Sequence, residues 1–206
     1  PADPPPVLVA ALGPQMLTVT GRLADGTVTW MTGPKALTDL TVPTIQAAAE
    51  GAGRPAPRVV VALPVCVTDD EAGARERAAA EFAVYGMLPS YRAMLDREGM
   101  EGPADLAFVG SADAVASRIA EVDTAGATTL VAAEFGHDRR AVARAVAGPL
   151  PLRIAGRRIE GRQRAAFGEP NVILEAFKPG EGPPQDTVVI GVGDGSGNAS
   201  IIEGGL

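Results

Sequence analysis

The sequence predicts an α/β fold built on a parallel sheet, and three kinds of observation support this class. Short apolar runs recur along the chain, and most are followed by a segment whose apolar residues have helical spacing. A run that is apolar on both faces is typical of a strand in a parallel sheet covered by helices. Gly-Pro pairs or acidic capping residues separate these runs from the helices, as expected where a strand leads into a helix.

The elements can be assigned in order along the chain. Strands are predicted at 7–12, 26–31, 58–67 and 128–134, and helices after Gly13-Pro14, after Gly33-Pro34, and over 72–85, 88–98, 111–126 and 138–147. Thr68–Glu71 and Ser111 are predicted helix caps. Four parallel strands, each followed by a helix, form either half of an eight-stranded barrel or a small open sheet, and the pattern alone does not choose between them.

Spacing also predicts which side chains are buried. The apolar contacts of the first helix are predicted to be Met16, Leu17, Val19 and Leu23, and those of the second Leu37, Leu40 and Ile45. The single cysteine, Cys66, lies in an apolar run and is predicted to be a small buried hydrophobe rather than a reactive thiol.

Composition narrows the range of partners. The 206 residues carry a formal net charge of -7, which argues against nucleic acid as a partner because duplex-binding domains present a basic face. The sequence has no apolar stretch long enough to span a bilayer and no evident signal peptide, and it has no His/Cys cluster for a metal. These features predict a cytoplasmic protein without a membrane or metal partner.

The last part of the chain has a different character. Pro149 and Pro151 interrupt the helical pattern, and two strands are predicted at 171–177 and 187–192. We therefore divide the chain into a unit of residues 1–148 and an unassigned tail, 149–206, predicted to be a β-hairpin or an extended arm.

Several runs together resemble a known family. PPPVLVAALGPQML, followed by GRLADGTVTWMTGP, resembles the middle of luciferase-like oxidoreductases, especially those that use the deazaflavin coenzyme F420. VVVALPVCVTDDEAGARERAA, YGMLPSYRAMLDREG and VGSADAVASRIAEVDTAGATTLVAA follow in the family's order. The resemblance implies that residues 1–148 are the C-terminal half of a (β/α)8 barrel, strands five to eight, followed by a short β-rich tail.

The first Gly-Pro turn is the main candidate site. Barrel active sites lie at the carboxyl ends of the strands, where free amides at a helix start favour an anion. The resemblance implies that the turn of Leu12, Gly13, Pro14 and Gln15 holds the phosphate of the cofactor, F420 or alternatively FMN. A plain strand-to-helix turn remains the alternative.

The second turn and the end of its strand are weaker candidates. Lys35 and Thr32, beside Gly33, are predicted to contact the anionic part of the cofactor, with a solvated lysine as the alternative. Trp30 is predicted either to line one side of a flat ring system or to pack in the core. His137 is interpreted as a surface-loop residue, with a general acid or base as the alternative.

The resemblance implies an oxidoreductase that transfers a hydride between the deazaflavin or flavin and a small organic substrate, once the other half of the barrel is supplied. The alternative is a catalytically incomplete half-barrel that acts as an oligomerising or phosphate-ligand-binding module. Because four parallel strands leave two open edges, the sequence also predicts a homo-oligomer formed through those edges.

Overall fold

A block of five parallel strands forms the centre of the fold. The computed structural model describes residues 6–136, 141–142, 145, 153–154, 173–177, 188–190 and 201–202. The parallel strands are β1 (Val7–Ala10), β2 (Gly26–Trp30), β3 (Arg58–Val67), β4 (Phe108–Gly110) and β5 (Thr129–Glu134). The long central strand, β3, pairs with β2, with β4 and with β5, always in parallel.

Helices connect these strands. They are α1 (Pro14–Leu23), α2 (Pro34–Ala36), α3 (Val42–Gly51), α4 (Glu71–Glu81), α5 (Ala83–Met87), α6 (Pro89–Glu98), α7 (Pro103–Leu106) and α8 (Ala112–Thr124). A π-helical turn, Leu37–Thr41, joins α2 to α3, so that residues 34–51 form one unbroken helical run. Within the described ranges, no helix is both long and apolar enough to cross a membrane.

The order of the strands places the helices on one side of the sheet. β1, β2, β3 and β5 are neighbours in the order of the sequence, and right-handed crossovers between such strands bring their helices to the same face. Side chains of β3, such as Val59 and Val61, share one core cluster with Leu37, Ile45 and Ile119 from the helices. This confirms the α/β class with a parallel sheet, and winding in one direction is typical of barrels. The assignment to strands five to eight of a barrel stays a prediction.

The opposite face of the sheet is apolar and only partly covered. Trp30, Ala62 and Val131 are aligned across β2, β3 and β5, and all three are half-buried. The alternate residues Val61 and Leu130 point toward the helices and are buried. The sheet therefore has one fully packed face and one partly exposed apolar face.

Short strands from the tail pair with both outer strands of the parallel block. They are β6 (Arg153–Ile154), β7 (Ile173–Phe177), β8 (Val188–Ile190) and β9 (Ile201–Ile202). β7 runs antiparallel to β5, and β8 runs parallel to β1. The strands predicted at 171–177 and 187–192 are confirmed in these portions. Self-association through the same edges stays a prediction, and so does the domain division at residue 148. The start of the helix predicted at 138–147 lies outside the described residues.

Two predictions about elements need correction, and one strand was missed. In α1 only Leu17 of the four predicted contacts is buried; Met16, Val19 and Leu23 are 45%, 46% and 75% exposed. The helix packs instead through its small residues, because Thr20 and Gly21 allow close approach to α3. The strand β4 was not predicted, since three residues are too short a run to recognise. The helix predicted over 72–85 is divided at Phe82.

The approach of α1 to α3 gives a test of this packing. A Cβ atom at Gly21 would lie 2.9 Å from Ala48 Cβ and would also meet the Ile45 carbonyl oxygen. We expect Gly21→Ala to lower the free energy of unfolding by about 1–3 kcal/mol in urea denaturation, because the backbones must separate. Gly51→Ala is the control, since no residue of the described part of the chain lies within 4 Å of its added Cβ; equal effects of the two variants would contradict the packing.

Candidate functional site

Two Gly-Pro turns lie at the same edge of the sheet. β1 and β2 are parallel neighbours, so the turns that follow them share the carboxyl edge. Gly13 and Gly33 are the N-cap residues of α1 and α2, with φ angles of -83° and -87°, and a proline occupies the first helical turn in both cases. The two turns thus have matching backbone geometry.

The Gly13 turn is open. The Leu17 amide donates to the Gly13 carbonyl oxygen at 3.0 Å and closes the first helical turn, which leaves the amides of Gln15 and Met16 without an acceptor inside the helix. Among the residues that the structure describes, nothing lies within 4 Å of a Cβ atom added at Gly13. Pro14 and Gln15 are exposed and Leu12 is half-buried. An anion can therefore approach two amides at the positive end of a ten-residue helix.

The Gly33 turn is filled by a carboxylate of the same chain. The amide of Ala36 donates to Glu98 Oε1 at 2.6 Å, and the amide of Lys35 donates to Glu98 Oε2 at 3.3 Å. A Cβ atom at Gly33 would lie 2.6 Å from Glu98 Cδ. The absence of a side chain at Gly33 thus makes room for Glu98, whereas the sequence interpretation predicted that this turn contacts the cofactor.

The side chains beside Gly33 also have partners within the protein. Lys35 Nζ forms an exposed ion pair with Asp39 Oδ2 at 2.5 Å, and the two line an open groove of about 690 Å³ between α2 and α8. Thr32 is fully buried and donates to the Trp30 carbonyl oxygen at 3.3 Å. Contact of Thr32, Gly33 or Lys35 with a cofactor stays a prediction, and these interactions do not favour it.

An aromatic cluster lies beside the end of β2. Trp30 makes edge-to-face contacts with Phe82 and Tyr85, at 6.0 Å and 5.8 Å between ring centroids. Phe135, which follows β5, contacts Phe82 at 5.5 Å, and Tyr91 contacts Tyr85 at 4.9 Å. Trp30 is half-buried, and its Nε1 has no hydrogen-bond partner among the described residues. Trp30 therefore packs in a cluster and also borders the partly exposed face. The sequence interpretation missed the other four aromatic residues of this cluster.

The backbone at the end of β2 adopts an uncommon conformation. Met31 is fully buried and has a φ angle of 53°, in the left-handed region that costs a non-glycine residue about 1–2 kcal/mol. Such residues are found preferentially at functional sites, where the surrounding packing holds them in place.

The end of β3 carries the single cysteine. Cys66 is fully buried, as predicted, and burial raises the pKa of its thiol, while a hydrogen bond with Arg77 acts in the opposite direction. A Cβ atom at Gly136 would overlap Cys66 Sγ, and the Gly136 amide donates to Glu134 Oε1 at 2.5 Å. This strand end is thus tightly packed. His137 lies outside the described residues.

These observations define an α/β protein whose parallel sheet is wound in one direction, as is typical of barrels, and whose first strand ends in a turn that is accessible to an anion. A family model, described as luciferase-like monooxygenase, matches residues 1–129. The chain belongs to this family, which confirms the resemblance seen in the sequence.

Individual proteins resemble this chain over part of its length. The chain is 34% identical over 108 residues to a 5,10-methylenetetrahydromethanopterin reductase of Methanolobus tindarius, covering 52% of this chain and 32% of the reductase. Its fold is similar to that of the coenzyme F420 dependent tetrahydromethanopterin reductase of Methanopyrus kandleri, with a TM-score of 0.54, 24% identity and coverage of 69% of this chain and 49% of the other. An F420-dependent secondary alcohol dehydrogenase has a TM-score of 0.56, with 19% identity and coverage of 68% and 46%. The chain spans half of these relatives' length or less.

The two matched turns can be compared by mutation. We expect Gly33→Ala to lower the free energy of unfolding by about 1 kcal/mol, the typical effect of losing an N-cap side chain, because the new methyl group displaces the Glu98 carboxylate. Gly13→Ala places its methyl group where no described residue lies within 4 Å, so it should lose only the cost of alanine at an N-cap, a cost that both variants share. Thermal or urea unfolding measures both, and a Gly13→Ala loss as large as that of Gly33→Ala would contradict the assignment of Glu98.

The environment of Cys66 predicts a pH dependence. Because the folded protein holds the thiol pKa above its ordinary value, protonated Cys66 stabilises the fold at pH values below that ordinary value. This contribution is lost as the pH rises through the raised pKa. We expect Cys66→Ala to show a smaller loss of stability than the wild type between neutral and alkaline pH in urea denaturation. A parallel loss in both proteins would contradict this expectation.

Proposed function

We propose that this chain forms the cofactor-binding part of an oxidoreductase that uses F420, with FMN as the alternative cofactor, and acts on a small organic substrate. The observation that carries the proposal is the open Gly13 turn at the carboxyl edge of the sheet, in a member of the luciferase-like family. The Methanopyrus reductase and the secondary alcohol dehydrogenase, both described as F420-dependent, favour F420 over FMN. When bound, the cofactor ring supplies the hydride-transfer chemistry.

The residues of this chain bind and orient the cofactor in the proposal. The Gln15 and Met16 amides donate to its phosphate, and the dipole of α1 adds a favourable field. Trp30 borders the ring, and the aromatic cluster around it keeps water from that side. Five of the chain's eight aromatic residues lie in this cluster, a strong concentration for a sequence so poor in aromatic residues.

The proposal assigns hydride transfer to a complete barrel. Because the chain spans at most half the length of the relatives compared above, the substrate side of the site is proposed to come from the other half of the barrel. A module that binds a phosphorylated ligand without catalysis is the second candidate, and the same open turn supports it.

Titration with cofactor tests the proposal. We expect F420 to bind the purified chain with a Kd in the micromolar range, measured through the fluorescence of the deazaflavin. Gly13→Val should weaken binding about tenfold, or about 1.4 kcal/mol, because its side chain occupies the space proposed for the phosphate.

Gly102→Val is the matched control. Gly102 also precedes a proline at a helix start, and no described residue lies within 4 Å of its added Cβ. Its helix, α7, precedes the strand β4, whereas α1 follows the strand β1. Absence of F420 and FMN binding at about millimolar concentration, or equal weakening by both substitutions, would refute the proposed site. Inorganic phosphate bound as tightly as F420 would favour the second candidate.

A further inference from the structure

The carboxylate in the Gly33 turn occupies the place that an anionic ligand would take. Its two oxygens accept hydrogen bonds from the backbone amides of Lys35 and Ala36. Both residues belong to the first turn of the unbroken helical run 34–51. Because these amides lie at the positive end of the run, the turn has the features of an anion site with an internal occupant.

The position of Glu98 in its own helix also indicates that this carboxylate occupies an anion site. Glu98 is the last residue of α6, where the partial negative charge of the helix end disfavours a carboxylate. The positive end of the neighbouring helical run offsets this effect. The carboxylate is thus held by the helix it caps rather than by the helix to which it belongs.

The glycines of the two turns distinguish an open site from a filled one. At Gly33 an added Cβ atom would lie 2.7 Å from Glu98 Oε2, whereas at Gly13 it would meet no described residue within 4 Å. The turns match in backbone conformation and in their prolines. They therefore differ chiefly in whether a carboxylate reaches them.

We propose that Glu98 is a specificity-determining residue that closes the second turn to anions, so that this edge of the sheet accepts one phosphate group, at the Gly13 turn. A phosphate arriving at Gly33 meets amides that already have an acceptor, and it also meets a negative charge within a few ångströms. The use of the Gly13 turn rests on the proposed function; the exclusion at Gly33 does not.

Residue-resolved NMR with inorganic phosphate as the probe tests this inference. In the wild type we expect saturable shifts of the Gln15 and Met16 amides and none at Lys35 and Ala36. In Glu98→Ala the Lys35 and Ala36 amides should gain a saturable shift. Glu101→Ala is the matched control, because it removes the same charge from an exposed residue three positions further on and should produce no such gain.

The outcomes separate the two proposals. Failure of Gln15 and Met16 to respond counts against the proposed function, whereas the Lys35 and Ala36 signals report on Glu98 alone. Glu98→Gln provides a second variant should Glu98→Ala fail to fold: its amide group replaces one acceptor oxygen, and a smaller gain is expected. Equal responses of Lys35 and Ala36 in the wild type and the variants, or no gain in either folded variant, overturn the inference.

Discussion

The parallel pairing along β3 is the constraint on which the remainder of the structure depends. β3 is ten residues long and joins β2, β4 and β5 in one direction. Because connections between parallel strands cross over with the same hand in nearly all proteins, this pairing fixes the side on which the helices pack. It also brings the ends of β1, β2 and β5 to one edge. The Gly13 turn, the Glu98-filled turn and the aromatic cluster are neighbours for this reason.

Much of this arrangement could be predicted from local sequence. The apolar runs located four of the five parallel strands, and Asp70 and Ser111 cap α4 and α8 as expected, with amide donors from Gly73 and Ala114. Such features depend on residues close together in the chain. β4 was missed because its three residues acquire their strand conformation from pairing with Val65–Val67 rather than from any pattern of their own.

The candidate site was harder to predict because distant residues decide its state. Gly13-Pro14 and Gly33-Pro34 have the same local pattern, yet Glu98, more than sixty residues further on, fills only the second turn. No residue close to Gly33 in the sequence indicates that Glu98 fills this turn. The other members of the aromatic cluster around Trp30 come from three further segments. The exposed Met16, Val19 and Leu23 show that helical spacing alone does not determine which face of a helix packs.

The π-helical turn between α2 and α3 bears on how this helix aligns with others. Buried residues recur every four positions along this run, at Leu37, Thr41, Ile45 and Ala49. In a regular α-helix, with 3.6 residues per turn, residues spaced by four would move gradually from one face of the helix to another. The widened turn takes up part of this drift. Since it holds one residue more than an α-helical turn does, a related sequence lacking that residue can keep both flanks in phase. Alignments should then place a single-residue gap inside residues 37–41 rather than at either end of the helix.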